Sequence, residues 1–283
     1  MGAATATRLR AQGHRVIGVD IAAADVTEDL STPQGRSRAA HRVLEAADGH
    51  LDGAVMAAGL GPGRGPDRPR QLAEVNYFGV VELLELWRPS LAAGGAKVVV
   101  LSSNSTTTTP LVRSRTVRAL MSRDVDKAVR SVRVFGPARA VFIYAASKIA
   151  VSRWVRQQAV RPDWAGSGIR LNALAPGAVM TPLLEEQLAD PRQRKAVRRF
   201  PVPVGGFGDA DQLADWVCFM LSDAAEFLCG SIIFVDGGTD AYFRADHWPQ
   251  PVPARRLITY LRRFRTSESD PKRSGNSSRT STS

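Results

Sequence analysis

The sequence predicts an α/β protein in which helices wind a parallel β-sheet on both faces. Two patterns carry this reading. From residue 2 to 238, short apolar strand-like runs alternate with longer stretches of helical period, the order left by successive strand–helix–strand units. One of those runs, Ala96–Leu101, is almost continuously apolar, the kind of strand that is covered on both faces. A third observation sets the scale. The chain has 283 residues, 44% of them hydrophobic and 23% charged, a globular composition with enough length for one large α/β domain or two smaller ones.

In chain order, residues 2–12 read as a helix that Gly13 closes as a C-terminal cap. Residues 14–20 follow as a strand ending in Asp20. An acid at the end of a strand, about 20 residues after a glycine-opened helix, suits a dinucleotide site. Its carboxylate accepts hydrogen bonds from the adenosine ribose hydroxyls and repels a 2′-phosphate. No arginine follows in Ile21-Ala22-Ala23-Ala24, which favours NAD over NADP. The alternative is that Asp20 simply ends a strand. A glycine-rich pyrophosphate loop needs a preceding strand and its first two glycines, and the chain starts at what reads as the last turn of that loop. The first strand is therefore expected upstream of Met1, the other reading being a shortened chain that holds its cofactor poorly.

An extended segment at 26–31 leads to a helix at 33–47, and 51–59 is a strand ending in the small residues Ala57-Ala58-Gly59, where a backbone can approach a flat ring or a ribose. Residues 60–69 are too rich in glycine and proline for regular structure. A long helix runs through Asn76 to about residue 91, and the strand 96–101 delivers Ser102-Ser103. Residues 104–143 interrupt the alternation. Val117, Leu120, Met121, Val125, Ala128, Val129 and Val132 recur there at helical spacing among arginines, giving a basic amphipathic helix. It is either a solvated face packed on the body, a lid over an apolar substrate, or a membrane-surface contact.

Next comes Tyr144-Ala145-Ala146-Ser147-Lys148, on a helix running to about residue 161. A tyrosine and a lysine four apart share one helix face. The ammonium is expected to lower the phenol's pKa and make Tyr144 an acid and base near neutral pH. A strand at 168–174 ends in the loop 175–182, helical segments cover 182–199 and 209–221, and 231–236 is the last strand. Residues 1–251 are expected to form one domain. From 252 the chain leaves this pattern: 255–265 is a short basic amphipathic stretch, and 266–283 lacks the apolar residues needed to order itself, so 252–283 is expected to be a largely disordered tail.

The net charge of +11 is concentrated in two places. Residues 104–143 carry 8 basic and 2 acidic side chains and residues 244–283 carry 9 and 3, whereas residues 1–103 carry 11 of each. A near-neutral body with two basic appendages does not read as a nucleic-acid binder. Two cysteines make neither a disulfide framework nor a metal site. With no visible signal peptide, myristoylation motif or apolar run near the ~20 residues a bilayer span requires, a cytoplasmic protein is expected.

The ordered set of the Gly2-opened helix, Asp20, Ala57-Ala58-Gly59, Asn76, Ser103, Tyr144 and Lys148, Pro176-Gly177 with Thr181, and Asp236-Gly237-Gly238 resembles the short-chain dehydrogenases/reductases over roughly residues 1–248. The family more often has Asn where Ala57 stands. The pieces Gly18-Val-Asp-Ile21, Asp29-Leu-Ser-Thr32, Ala58-Gly-Leu-Gly-Pro62, Val75-Asn-Tyr-Phe-Gly79 and Thr181-Pro-Leu-Leu184 are similar to its bacterial 3α-hydroxysteroid dehydrogenase/carbonyl reductase group. So is the 41-residue distance from Ser103 to Tyr144. The resemblance implies a Rossmann-like fold and a secondary alcohol–ketone oxidoreductase using NAD(H) on a hydroxysteroid or another hydrophobic carbonyl compound. In that reading Tyr144 transfers the proton, Lys148 tunes it and bonds the nicotinamide ribose, Ser103 stabilises the substrate oxygen, and Asn76 holds a water that links Lys148 to solvent. Gly2, Asp20, Ile21, Ala57, Ala58 and Gly59 are the implied cofactor contacts, with Asp29 and Leu30 at the adenine and Pro176, Gly177, Val179 and Thr181 at the carboxamide. It also implies a homodimer. The insertion and residues 182–200 are expected to cover the substrate, and the insertion's apolar stripe under a basic face suits a hydrophobic substrate bearing a carboxylate. The competing reading is a catalytically poor scaffold tethered to a membrane through the insert and tail.

Overall fold

The computed structural model describes residues 1–268, without the side chains of 182, 183, 186, 187, 191–193, 196 and 264–268. Residues 269–283 of the tail expected to be disordered lie outside the described residues. The chain divides into a compact unit, Met1–Phe243, and a second unit that begins at Arg244 rather than at 252.

Within the first unit, α1 (Gly2–Ala11) precedes β1 (Val19–Asp20), β2 (Val26–Thr27), α2 (Pro33–Ala46) and β3 (Gly53–Met56). Next are α3 (Arg68–Ala73), a π-helical turn (Glu74–Phe78), α4 (Gly79–Ala93) and β4 (Lys97–Leu101). The insertion holds α5 (Ser105–Thr108), α6 (Ser114–Met121), α7 (Val125–Val132) and a 3-10 turn (Arg133–Ala138). Then follow α8 (Arg139–Gln158), β5 (Arg170–Pro176), α9 (Pro182–Ala189), α10 (Pro191–Arg199), α11 (Ala210–Leu221), β6 (Ile232–Val235) and α12 (Thr239–Arg244). In the second unit, α13 (Leu257–Glu268) makes the described part of the tail helical.

All strand pairings are parallel. β3, β4, β5 and β6 form one sheet in that order, and β1 pairs with β2 alone. The strand expected over 14–20 is thus shortened, because only Val19 and Asp20 find ladder partners, Val26 and Thr27. Ile17 and Val19 nonetheless pack on the same apolar core as Ala54 and Ala58. The pleat of the larger sheet splits that core in two. Val98, Val100, Leu171 and Ala173 point to the side of α4 and α8, while Val99, Leu101 and Leu174 face Leu213, Val217 and Met220 of α11. Helices on both faces, with a crossover between successive parallel strands, are the wound architecture expected. By composition α8 lies in a stretch apolar enough to cross a membrane, but its Ala145, Ala146, Ala150, Val151 and Val155 are buried in the core.

Two expected helices are each broken in two. The basic stripe of the insertion divides at Arg123, which has φ 61°, and Asp124 caps α7 by accepting a 2.8 Å hydrogen bond from Lys127 N. Its apolar residues Val117, Leu120, Ala128 and Val132 are buried against α8 and α3, so packing uses the face that a substrate lid would need. The segment 182–199 divides at Pro191, which has no N–H to continue the α9 ladder.

One buried arginine ties α2 to the segment carrying Asn76. Arg36 donates to Glu82 at 2.6 Å, to Glu74 at 3.0 Å and to Leu30 O at 3.0 Å, and lies 5.9 Å from the Phe78 ring. Replacing it leaves two carboxylates and a carbonyl facing an apolar gap. Arg36→Met should lower the unfolding free energy by about 3 kcal/mol in urea titrations, and Arg36→Lys by less.

Candidate active site

Parallel pairing fixes where the strands stop. β4 ends at Leu101, and the next residues stay bound to β5 through Ser102 N to Leu174 O at 2.7 Å and Asn104 N to Pro176 O at 2.9 Å. Ser103 is thereby held at the sheet's C-terminal edge, buried, with its Oγ accepting from Ser105 N at 3.1 Å. Its own hydroxyl hydrogen is left to donate.

α8 passes beside this edge and presents Tyr144, Lys148 and Ser152 at four-residue spacing on one face. Ser152 Oγ hydrogen-bonds Ser102 Oγ at 2.6 Å, and Lys148 Nζ donates to Leu101 O at 2.7 Å. The Tyr144 hydroxyl lies close enough to the Ser103 side chain for its titration to feel it. Serine and tyrosine, 41 residues apart in sequence, therefore meet where the resemblance requires.

The electrostatics differ from the expectation. Part of the Tyr144 ring is accessible, but the atoms around the hydroxyl strip it of water, and this desolvation raises its pKa above the ordinary tyrosine value. The group acting the other way is Ser103, whose side chain favours the phenolate. Lys148 Nζ gives one of its three N–H groups to the Leu101 carbonyl, and burial and Ser103 are what set the Tyr144 hydroxyl. Burial pushes Lys148 itself down to about 8.

Asn76 is fully buried in the π-helical turn, and both side-chain atoms bind Leu60: Oδ1 accepts from Leu60 N at 2.7 Å and Nδ2 donates to Leu60 O at 2.9 Å. The side chain is a clamp on the Gly59–Leu60 turn, with one N–H and one lone pair beyond these two bonds. That clamp brings the turn to the site. A Cβ on Gly59 would lie 3.3 Å from Asn76 Oδ1 and 3.8 Å from Lys148 Nζ.

The cofactor positions lie along the same edge. At Gly2 the start of α1 comes so near Ala57 that an added Cβ would sit 3.1 Å from the Ala57 Cβ. Asp20 is exposed at the end of β1, beside the strongly exposed Ile21, whose N donates to Asp20 Oδ1 at 2.6 Å. Asp29 accepts from Ser31 N at 2.8 Å, whereas the Leu30 side chain is buried in the core, so Leu30 borders an adenine through its backbone at most. Pro176 ends β5. At Gly177 a Cβ would come 2.7 Å from the Asp236 Cα, a contact only glycine permits. Val179 is buried and bridges to Gly208, and Thr181 Oγ1 accepts from Leu184 N at 3.4 Å as α9 begins. A free carboxylate at Asp20, the close approach of α1 to Ala57 and the glycine-built loops fit a nicotinamide dinucleotide.

The comparisons agree. A family model described as Enoyl-(Acyl carrier protein) reductase matches residues 125–240. The 3-alpha-hydroxysteroid dehydrogenase/carbonyl reductase of Comamonas testosteroni is 37% identical over 245 residues, covering 86% of this chain and 94% of that protein. The chain belongs to the short-chain dehydrogenase/reductase family. A second member, cis-4-hydroxycyclohexanecarboxylate dehydrogenase of Sinomonas cyclohexanicum, is 31% identical over 236 residues, covering 83% of this chain and 81% of its own. The crystal structure of the 3-alpha-hydroxysteroid dehydrogenase from Pseudomonas sp. B-0831 complexed with NADH superposes with a TM-score of 0.80 at 40% identity, covering 87% of this chain and 94% of that one. As a family member the protein is an oxidoreductase with a Rossmann-like fold.

Three supporting residues escape the motif reading. Ser152 is legible as the next step of the Tyr144–Lys148 spacing. Asn104 and Asp236 are not, because only the fold joins them. Asp236 accepts from Asp240 N at 2.7 Å, Gly238 N at 3.1 Å and Asn104 Nδ2 at 3.4 Å, linking the Ser103 loop to the turn beside Gly177.

Lys148 gives a pH prediction. Its folded pKa is below the ordinary lysine value of 10.5, so the cost of burying the ammonium is fully present below about pH 8. It is relieved as pH rises from about 8 to 10.5, where the unfolded chain still holds the proton. The unfolding free energy of the parent chain should therefore gain about 3 kcal/mol on that of Lys148→Met across this window, measured by denaturation at each pH.

Proposed function

We propose that the protein is an NAD(H)-dependent dehydrogenase/reductase that interconverts a secondary alcohol and a ketone on a hydrophobic, ring-based carbonyl compound of the hydroxysteroid class. The observation that carries this is the placing of Ser103 beside Tyr144, one helical turn from a buried Lys148. The activities of the relatives, on hydroxysteroids and on a hydroxycyclohexane ring, support the substrate class.

Bound NADH supplies the hydride to the carbonyl carbon. Tyr144 gives its proton to the carbonyl oxygen and recovers it from solvent, so a ketone becomes an alcohol at the cost of one hydride and one proton. Ser103, with Ser105 N filling its acceptor side, directs its hydroxyl at the same oxygen and stabilises the charge that develops there. A phenol kept protonated by burial suits the reduction direction at neutral pH, and alcohol oxidation gains as pH rises toward the Tyr144 value.

The preference for NAD over NADP is supported at the ribose corner. Glu28 N donates to Asp20 O at 3.0 Å, which sets a second acid beside Asp20. The Glu28 carboxylate holds Arg38 at 2.8 Å and Arg42 at 3.4 Å, engaging the α2 cations that a 2′-phosphate would need.

The test is a panel of steroid, alicyclic and aromatic alcohols and ketones assayed with each nicotinamide cofactor. Steady turnover with NAD(H) is expected, falling about 1,000-fold in Tyr144→Phe. Asp20→Ala should narrow the NADH-over-NADPH preference in kcat/KM by about tenfold. Undiminished turnover in Tyr144→Phe would overturn the catalytic assignment, and a parent preference for NADPH the cofactor assignment.

A further inference from the structure

Among the described residues of the second unit, none covers the apolar face of one helix. α13 is 12 residues long, about 18 Å. Leu257, Ile258 and Leu261 fall on one side of it and are 57%, 69% and 52% exposed. Tyr260 and, ahead of the helix, Trp248 are exposed as well. Arg255 and Arg256 stand immediately before α13, and Arg262 and Arg263 lie within it. Residues 244–283 hold 9 basic and 3 acidic side chains, one of the two places where the chain's positive charge gathers, while residues 1–103 balance at 11 of each.

We propose that α13 is an interfacial membrane anchor. It lies in the headgroup layer of an anionic lipid bilayer, with Leu257, Ile258 and Leu261 among the acyl chains and the arginines at the lipid phosphates. Each half of the helix selects this partner. Arginines alone would suit a nucleic acid, but a nucleic acid offers Leu257 and Ile258 no apolar phase. An apolar protein groove would cover the leucines and gain nothing from the charge. An anionic bilayer accepts both, with arginine stems reaching up from the apolar layer to the headgroups. Tyrosine and tryptophan prefer that same boundary. At about 18 Å the helix is far short of the ~30 Å hydrocarbon core, so it lies on the membrane and does not cross it.

The full chain should be sedimented with vesicles of phosphatidylcholine alone and with vesicles containing about 30% phosphatidylglycerol. Binding to the anionic vesicles is expected to be at least about tenfold tighter and to weaken as salt is raised. The triple change Leu257→Ser, Ile258→Ser and Leu261→Ser, which leaves the charge intact, should weaken it a further tenfold or so. The double change Arg255→Gln and Arg256→Gln should weaken it about fivefold per arginine. Turnover in solution should be unchanged in both variants. Three results would overturn the proposal: no sedimentation with anionic vesicles, equal binding to neutral ones, or a triple-serine variant that binds like the parent chain. Retardation of mixed-sequence DNA by the parent chain, with no vesicle binding, would assign the helix to nucleic acid instead.

Discussion

A buried ammonium must have an acceptor, and here the acceptor is the last carbonyl of β4. The bond from Lys148 to Leu101 O fixes α8 against the sheet where β4 stops, and the Ser102–Ser152 hydroxyl pair repeats the connection one helical turn further on. Tyr144 and Ser103 each lie next to one of these joints. Their meeting is a by-product of how helix and strand are fastened, and it needs no long-range force of its own. The tuning of the phenol is set by burial, which raises it, and by Ser103, which lowers it.

A second joint serves the other half of the site. Asp236 gathers two main-chain amides and the Asn104 side chain, and it sits so near Gly177 that no larger residue fits there. The loop after β4 and the turn after β6 thus share one carboxylate, and the loop after β5 packs on the same residue's main chain and Cβ.

The wound sheet was legible because strand and helix periods alternate cleanly from residue 2, and the Tyr144–Lys148 pair because a four-residue spacing needs only a helix to become a contact. Breaks inside helices were less legible. Nothing in the composition near Arg123 announces a left-handed residue, whereas Pro191 did carry the signal of a break. Sequence shows the Asn76 amide but not its partner, and each of its polar atoms makes a bond to Leu60. The burial of Leu30 likewise depends on α4 packing over it at Gly79. Asp236 was visible only as the start of a glycine turn, because its reach to Asn104 spans 132 residues.

The hairpin of α6 and α7 has a further consequence for the helix that carries Tyr144. Val117, Leu120, Ala128 and Val132 are buried where the hairpin packs on α8. Stripping the hairpin away would bare four apolar side chains at once, so the insertion and the Tyr144 helix are held as one packed layer.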